Sequence, residues 1–150
     1  MVAGGESPWA PSVTYNPASG LLFATVRGMD NAVYMSSSVY AAGSNFGSWF
    51  QIAPPGSTYG TPHLAALDSG TMVGNYLDTD EHQQYALFDQ HGNPTTWWGP
   101  DSTWWQSAAA AILVAVGTAI YALLTGEDSV VYWKRYTATN YFALKNPGDA

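Results

Sequence analysis

The chain has 150 residues, a net charge of −7 and no cysteine, with 10% charged and 15% aromatic residues. The aromatic content excludes a disordered chain. The acidic balance argues against a nucleic-acid binder, which needs a basic face. The lack of cysteine excludes a disulfide, a zinc knuckle and a thiol nucleophile. The start of the sequence shows no basic segment followed by an apolar run, so we see no secretory signal peptide.

The sequence repeats itself with a period of roughly 45–50 residues. Residues 23–34 and 121–132 share Ala, Gly, Asp and Tyr at identical offsets. A middle copy begins at residue 73, keeps the Asp, and needs one inserted residue to align Tyr85 with Tyr34. We therefore divide the chain into an N-terminal arm (1–6), unit 1 (7–55), unit 2 (56–100), and unit 3 with a short tail (101–150).

Each unit contains four short runs rich in β-branched and aromatic residues, separated by turn residues. In chain order, the predicted strands are 12–15, 21–27, 32–37, 48–52, 63–67, 71–77, 84–89, 95–98, 110–116, 119–125, 130–136 and 141–144. Repeats of this length with four antiparallel strands are typical of β-propeller blades. The predicted fold is therefore all-β, with three four-stranded blades. The alternative is an all-β sandwich whose internal similarity is accidental.

Residues 107–126 carry no charge and follow two tryptophans. Taken alone, this run is long enough to be a transmembrane helix. The repeat register instead places it over a hairpin of unit 1, which makes Gly117 the turn between two buried strands. We therefore expect no membrane span.

Three blades are fewer than a closed propeller needs, which is about four to eight. Each open flank would be an apolar surface with an unpaired edge. The sequence therefore predicts a homo-oligomer, and a dimer giving six blades is favoured. A ring of another stoichiometry, or docking onto a different protein, remains an alternative.

The repeated Gly28 and Gly126 are expected to supply a positive φ in a hairpin turn, which Asp30 and Asp128 cap. The acidic segment 78–81 could instead hold a hard cation through oxygen ligands. No catalytic or phosphate-binding motif occurs in the sequence. We therefore predict no enzyme activity, no cofactor and no metal; a glycoside hydrolase with two distant carboxylates is the alternative.

Aromatic residues recur at similar places in the three units. Trp9, Tyr59 and Trp104 begin the units, and Trp49, Trp97 and Tyr141 stand near their ends. One interpretation is packing between blades, where large rings fill wedge-shaped gaps. The other is that the rings are stacking platforms for sugars, with Asp, Asn and Arg side chains taking the hydroxyls. Repeating such a site around a ring would raise avidity.

The segment Val26–Tyr34, followed by Phe46-Gly-Ser-Trp49, resembles a blade of the bacterial and fungal β-propeller lectins. Those lectins repeat an Arg-Gly-x-Asp-x-x-Leu-Tyr type segment and then a Gly/Ser-Trp segment. The resemblance implies a propeller fold, no catalytic cofactor, and fucosylated or related glycans bound between blades. Unit 3 departs from the pattern at Thr125 and unit 2 at Leu77 and Asp78, so the match is specific in unit 1.

The sequence thus favours a non-enzymatic glycan-binding propeller, with carbohydrate as its partner and an extracellular or surface location. The expected glycan contacts are Trp9, Tyr59, Trp104, Trp49, Trp97, Arg27 and Asp30. The alternative function is a structural or assembly module, such as a virion or surface-complex component, in which the same rings are buried by packing. The two hypotheses differ in whether the tryptophans are exposed in polar pockets.

Overall fold

The computed structural model describes residues 7–41, 44–100, 106–137 and 142–143, so Trp104 and Tyr141 lie outside the described residues. The described residues form three antiparallel four-stranded sheets and contain no helix. Sheet 1 contains β1 (Ser12–Asn16), β2 (Leu21–Arg27), β3 (Val33–Val39) and β4 (Phe50–Ala53). Sheet 2 contains β5 (His63–Ala66), β6 (Met72–Leu77), β7 (Gln83–Phe88) and β8 (Gly99–Pro100). Sheet 3 contains β9 (Ile112–Val116), β10 (Ala119–Thr125), β11 (Val131–Arg135) and β12 (Phe142–Ala143).

The all-β fold and the grouping of strands by four are confirmed, and one predicted strand is misplaced. We expected a strand at 95–98, whereas β8 begins at Gly99. Before β8, the Leu87 N–H is bonded to the side-chain hydroxyl of Thr96 at 2.8 Å. A threonine side chain therefore takes the place of a strand partner, and regular pairing starts only at Gly99 opposite Tyr85.

The apolar run of unit 3 forms the β9–β10 hairpin, and Gly117 lies in its turn with φ 58°. The described part of the chain holds no helix with the length and hydropathy that a membrane span requires. The expectation that both strands are buried is wrong for β9. Its Ile112, Val114 and Val116 side chains are exposed, because no sheet covers that side among the described residues.

The three hairpins between the second and third strands of each sheet superpose in register without an insertion. Tyr34 pairs with Val26 and Gln84 pairs with Tyr76, at a constant shift of fifty residues. The residue inserted to align Tyr85 with Tyr34 was therefore an error, since Gln84 occupies the tyrosine position. The sequence suggested the wrong alignment because Gln84 is followed directly by a tyrosine, Tyr85.

Two apolar layers join the sheets. One lies between sheets 1 and 2 and includes Phe23, Met35 and Phe88. The other lies between sheets 2 and 3 and includes Val73 and Leu124. The first strands of the sheets adjoin in sequence, with β1 against β5 and β5 against β9. Sheet 2 is thus covered on both sides, whereas sheets 1 and 3 are each covered on one.

Candidate functional site

The turn between β2 and β3 is a three-residue loop that ends in a left-handed residue. The Gly28 N–H is bonded to the Ala32 carbonyl at 2.9 Å, and Asn31 has φ 62°. Our expectation that Gly28 supplies the positive φ is therefore wrong, because Asn31 does so. Glycine is needed at residue 28 for space: a Cβ there would lie 2.6 Å from both Asp30 Oδ1 and Tyr34 Cε2.

Asp30 caps this turn, as the sequence predicted. Its Oδ1 accepts the Ala32 N–H at 3.1 Å, and its Oδ2 accepts the Tyr34 hydroxyl at 2.9 Å. The bond to Asp30 raises the pKa of the exposed Tyr34. Asp128 makes the same pair of contacts in sheet 3, where the Tyr132 hydroxyl lies 2.6 Å from Oδ2. The carboxylate of Asp30 therefore stabilises the turn.

Arg27, the last residue of β2, is fixed from three directions. Its Nε and Nη2 donate to Asn31 Oδ1 at 2.9 and 2.6 Å, and its Nη1 donates to the Tyr59 carbonyl. Its guanidinium carbon lies 3.6 Å from the centroid of the Trp9 ring and 5.6 Å from that of Tyr59. Such cation–π contacts strengthen when they are shielded from water. Arg27 thus joins the N-terminal segment, its own turn and the linker into sheet 2.

The guanidinium of Arg27 is buried, and no carboxylate among the described residues forms an ion pair with it. Burial lowers its pKa, although an arginine stays charged at any physiological pH. Within the described part of the chain, the ion pair that occurs joins His82 to Asp78 at 4.0 Å. Among the described residues, the guanidinium of Arg27 therefore contacts two rings and neutral oxygens.

Beside this buried cation lie aromatic and acidic groups that reach solvent. The Tyr59 side chain is 60% exposed, Trp9 is half-buried and Asp30 is exposed. We call Trp9, Arg27 and Tyr59, with Asp30 and Asn31 of the adjoining turn, the unit 1 cluster. The structure thus brings together three of the seven expected contacts, Trp9, Tyr59 and Arg27. Asp30 lies in the adjoining turn, where its carboxylate bonds to Ala32 and Tyr34.

The remaining expected contacts are not joined to this cluster by any contact among the described residues. Trp97 is 89% exposed. Trp49 stacks near Phe46, with ring centroids 6.4 Å apart, and its Nε1 is buried without an acceptor in the described chain. Trp104 lies outside the described residues.

A hydroxyl residue recurs at the start of each unit and fixes the repeat register there. Ser7 donates to the Arg27 carbonyl, Thr58 to the Leu77 carbonyl and Ser107 to the Thr125 carbonyl, at 2.8, 2.6 and 3.0 Å. Each hydroxyl also contacts the backbone two residues later. We call these three residues the hydroxyl latches. Sequence inspection missed them because Thr58 directly follows another hydroxyl residue, Ser57, so the sequence leaves the register uncertain by one residue.

The latches correct the predicted repetition of aromatic residues. Trp9 stands two positions after its latch, where units 2 and 3 have Gly60 and Ala109. Tyr59 stands one position after its latch and therefore is not the counterpart of Trp9. The arginine position itself is Leu77 in unit 2 and Thr125 in unit 3. The described chain thus contains one aromatic and cationic cluster of this kind, not one per unit.

The tryptophans near the unit ends are also realigned. Trp49 precedes Phe50, which pairs with Met35, and Trp98 precedes Gly99, which pairs with the equivalent Tyr85. Trp98, not Trp97, is therefore the counterpart of Trp49. The Trp98 ring packs against Tyr76 at 4.7 Å and donates its Nε1 proton to the Ile52 carbonyl of sheet 1. Trp98 is a packing residue between sheets.

In the acidic segment of unit 2, the Asp78 side chain accepts hydrogen bonds within the turn between β6 and β7. Asp78 Oδ1 accepts the N–H groups of Asp80 and His82, both at 2.9 Å, and its Oδ2 accepts the Gln84 amide at 2.7 Å. No group of three metal-ligating side chains occurs within the described residues. His63, in β5, is half-buried, and burial lowers its pKa. Within this segment, the carboxylate of Asp78 therefore caps the turn.

Comparison with known proteins gives a similarity in fold. No protein-family model matches the chain, and no curated protein matches it. A solved structure, Hadza microbial sialidase Hz136, is similar with a TM-score of 0.56 at 12% sequence identity. The match covers 89% of this chain and 32% of that one, so this chain spans about a third of the sialidase. At this identity, the similarity shows the fold alone.

Proposed function

We propose that the three sheets are blades of a propeller-type fold and that the chain is a non-enzymatic glycan-binding module. The fold similarity to part of a sialidase supports the first half of this proposal. The observation that carries the second half is the unit 1 cluster, in which a buried guanidinium, without a carboxylate partner among the described residues, lies near two partly exposed aromatic rings. The resemblance of unit 1 to β-propeller lectins adds to it.

The chemistry of the cluster suits a sugar. A pyranose offers C–H groups on one face and hydroxyls around its rim. The exposed Tyr59 ring and the half-buried Trp9 ring can pack on the C–H face. The exposed carboxylate of Asp30 can accept from a hydroxyl while it caps its turn. Arg27 holds these groups in place, which lowers the conformational cost of binding. Its charge also favours the electron-rich oxygens of the ligand.

The proposal that the module is not an enzyme is supported by the hydrogen bonds that its acidic side chains accept. Asp30, Asp78, Asp89 and Asp128 each accept backbone N–H groups inside a hairpin turn. The hydrogen bonds from Asn93 lower the pKa of Asp89, and the bond from Tyr132 lowers the pKa of Asp128. A general acid needs the opposite tuning, a raised carboxyl pKa.

The proposal is tested by screening the purified protein on a glycan array and titrating the sugars that bind while tryptophan fluorescence is recorded. Trp9→Ala and Tyr59→Ala are each expected to weaken binding by roughly tenfold or more, because each removes a stacking surface. Tyr40→Ala is the matched control, since Tyr40 is an exposed ring 5.5 Å from Tyr15 and outside the cluster. Absence of binding across a broad array would overturn the proposal.

A second candidate function is a structural or assembly module. The exposed aliphatic residues of β9 and the exposed aromatic and aliphatic residues of β1 favour it, because large apolar surfaces mark interaction sites. This candidate predicts that the protein forms a stable complex through β1 and β9, and that Trp9→Ala does not change the affinity of that complex. The fluorescence titration therefore separates the two functions.

A further inference from the structure

Sheets 1 and 3 each have one side without a neighbouring sheet among the described residues. On sheet 3 this side, the trailing face, carries Ile112, Val114, Val116, Tyr121, Leu123 and Trp133. On sheet 1 the corresponding side, the leading face, carries Val13, Tyr15, Leu22, Ala24 and Val26. Val114 and Val116 are 42% and 60% exposed, and Val13 is 53% exposed. Both faces therefore present exposed apolar side chains among the described residues, although Ala24 is buried and Arg135 shares the trailing face.

The two faces are equivalents of surfaces that pack on each other inside the chain. Phe23 of sheet 1 packs on sheet 2, and its equivalent Val73 packs on sheet 3. The third equivalent, Tyr121, lies on the trailing face. The same holds in the other direction. Met72 packs toward sheet 1 and Ile120 toward sheet 2, whereas their equivalent Leu22 lies on the leading face. A trailing face thus meets a leading face twice within the chain.

The linkers repeat a backbone hydrogen bond across these internal junctions. The N–H of latch Thr58 is bonded to the carbonyl of Asn31 in the preceding unit at 3.1 Å. The N–H of latch Ser107 is bonded to the equivalent carbonyl of Glu81 at 3.0 Å. The third latch is Ser7, and the third equivalent carbonyl belongs to Ser129 of unit 3. Ser7 N–H finds no backbone acceptor among the described residues, because no unit precedes it there.

Trp49 provides an independent sign that the leading face is incomplete. Its counterpart Trp98 donates Nε1–H to Ile52, a backbone carbonyl of the preceding sheet. Trp49 has its Nε1 buried with no acceptor in the described chain. A buried unsatisfied donor is costly, and native structures contain few of them. In a closed ring, the Trp49 ring would have to turn toward the preceding sheet to reach such a carbonyl, because its Nε1 is covered by its own chain in a single copy.

We propose that a second copy of this chain supplies both missing neighbours, with the trailing face of one copy on the leading face of the other. Two such contacts would close a ring of six sheets with two-fold symmetry, within the blade number of known propellers. Ser7 N–H of each copy would donate to the Ser129 carbonyl of the other. The inference rests on the propeller arrangement proposed above and not on glycan binding.

The ring also bears on avidity. The described chain has one aromatic and cationic cluster, so a single copy would present one site of this kind. A closed two-copy ring presents two copies of it in a fixed geometry. Multivalent binding to a glycan surface would then come from assembly instead of from internal repetition.

The test measures the mass of the full chain in solution by light scattering during size-exclusion chromatography. The expected mass is twice the 16.1 kDa chain mass. Val114→Asp on the trailing face and Val13→Asp on the leading face are each expected to give half that mass, because a charge cannot be buried there unpaired. Met29→Asp is the matched control, since Met29 is 67% exposed in a turn outside both faces. Circular dichroism verifies that every variant folds.

Mixing the two interface variants tests the head-to-tail geometry. Each variant keeps one intact face, so an equimolar mixture can form one complete junction and should recover the two-copy mass. A contact between identical faces predicts no recovery in the mixture. Trp49→Phe removes the indole N–H together with part of the ring, and should raise the dissociation constant of the dimer by roughly three- to tenfold.

A wild-type chain that stays monomeric at about 100 μM would overturn the proposal, since stable interfaces of this kind hold far below that concentration. A mass that climbs steadily with concentration would overturn ring closure. Retention of the dimer by both aspartate variants would place the interface elsewhere. None of these outcomes depends on the sugar titration, so failure of assembly and failure of glycan binding are distinguishable.

Discussion

The turns that begin at Gly28 and at Asp78 share a backbone and differ in the side chains that hold it. In both, the first residue bonds to the carbonyl four residues on, and the fourth residue is left-handed. In unit 1, Asp30 and Tyr34 cap the turn and leave no room for a Cβ at Gly28. In unit 2, Asp78 itself is the cap and Gln84 replaces the tyrosine ring. The same turn backbone is thus stabilised by two different sets of side chains. Within each set the residues depend on one another, so a single substitution from the other set is expected to destabilise the turn.

The largest expected effect on stability comes from a substitution in the unit 1 turn, where Gly28, Asp30 and Tyr34 pack together. Gly28→Ala places a methyl group 2.6 Å from Asp30 Oδ1 and Tyr34 Cε2, and should lower the free energy of unfolding by about 1–3 kcal/mol. Denaturant titration measures it. Gly99→Ala is the control, because its Cβ meets nothing within 4 Å. Adding Tyr34→Gln should recover much of the loss. If the double variant is as unstable as Gly28→Ala, the ring of Tyr34 is not what excludes the Cβ.

The unit 2 set is broken by Asp78→Ala. This change removes the acceptor for two backbone N–H groups and for the Gln84 amide. We expect the free energy of unfolding to fall by about 1 kcal/mol, as for the loss of a capping side chain. The neighbouring Asp80→Ala is the control, since Asp80 is exposed and contributes only its backbone N–H to these bonds. Equal effects from the two variants would contradict the assignment of the cap.

Replacing the left-handed residue of each turn, Asn31 or Glu81, by glycine is expected to change the stability in opposite directions. Glu81 has φ 66°, a conformation that glycine adopts without strain, so Glu81→Gly should stabilise the protein by about 0.5 kcal/mol. Asn31→Gly should instead destabilise it by about 1 kcal/mol, because Asn31 Oδ1 accepts two bonds from Arg27. Thermal unfolding of both variants checks this. Shifts of the same sign would mean that the Arg27 contacts contribute little.

The smallest expected effect is a dependence on pH in unit 3. The bond from Tyr132 lowers the pKa of Asp128 below its usual 3.8. The ionised carboxylate therefore contributes stability at neutral pH, and this contribution is lost as the pH falls from about that value through the folded pKa. Tyr132→Phe should make unfolding slightly less sensitive to acid between about pH 5 and pH 2. Tyr40→Phe serves as the control. An unchanged acid profile for Tyr132→Phe would contradict the coupling.

Much of the fold could be predicted from the sequence because strands and turns leave local marks. The alternation of β2 and the glycine at residue 117 gave strand bounds that the structure repeats closely. The misplaced strand at 95–98 had the right composition, but the Thr96 hydroxyl competes for the backbone there. Local pattern alone does not show such competition between a side chain and a strand partner.

The candidate site was only partly predictable. Arg27, Asp30, Trp9 and Tyr59 were expected as contacts, and the structure brings Arg27, Trp9 and Tyr59 together, with Asp30 in the adjoining turn. Their repetition in every unit was wrong, because the hydroxyl latches place Gly60 and Ala109 where unit 1 has Trp9. Adjacent residues such as Ser57 and Thr58, or Trp97 and Trp98, are interchangeable in a sequence alignment and not in a hydrogen-bond register.

The sequence by itself determined the all-β character, the threefold internal repeat and most of the strands, because these depend on residue periodicity and on turn chemistry close along the chain. Only the tertiary structure decided which rings face solvent and which fill the layers between sheets. Trp97 and Trp98 make the point, since one is 89% exposed and the other donates to a carbonyl of the preceding sheet. That choice depends on which face a side chain takes, and a shift of one residue along a strand reverses it.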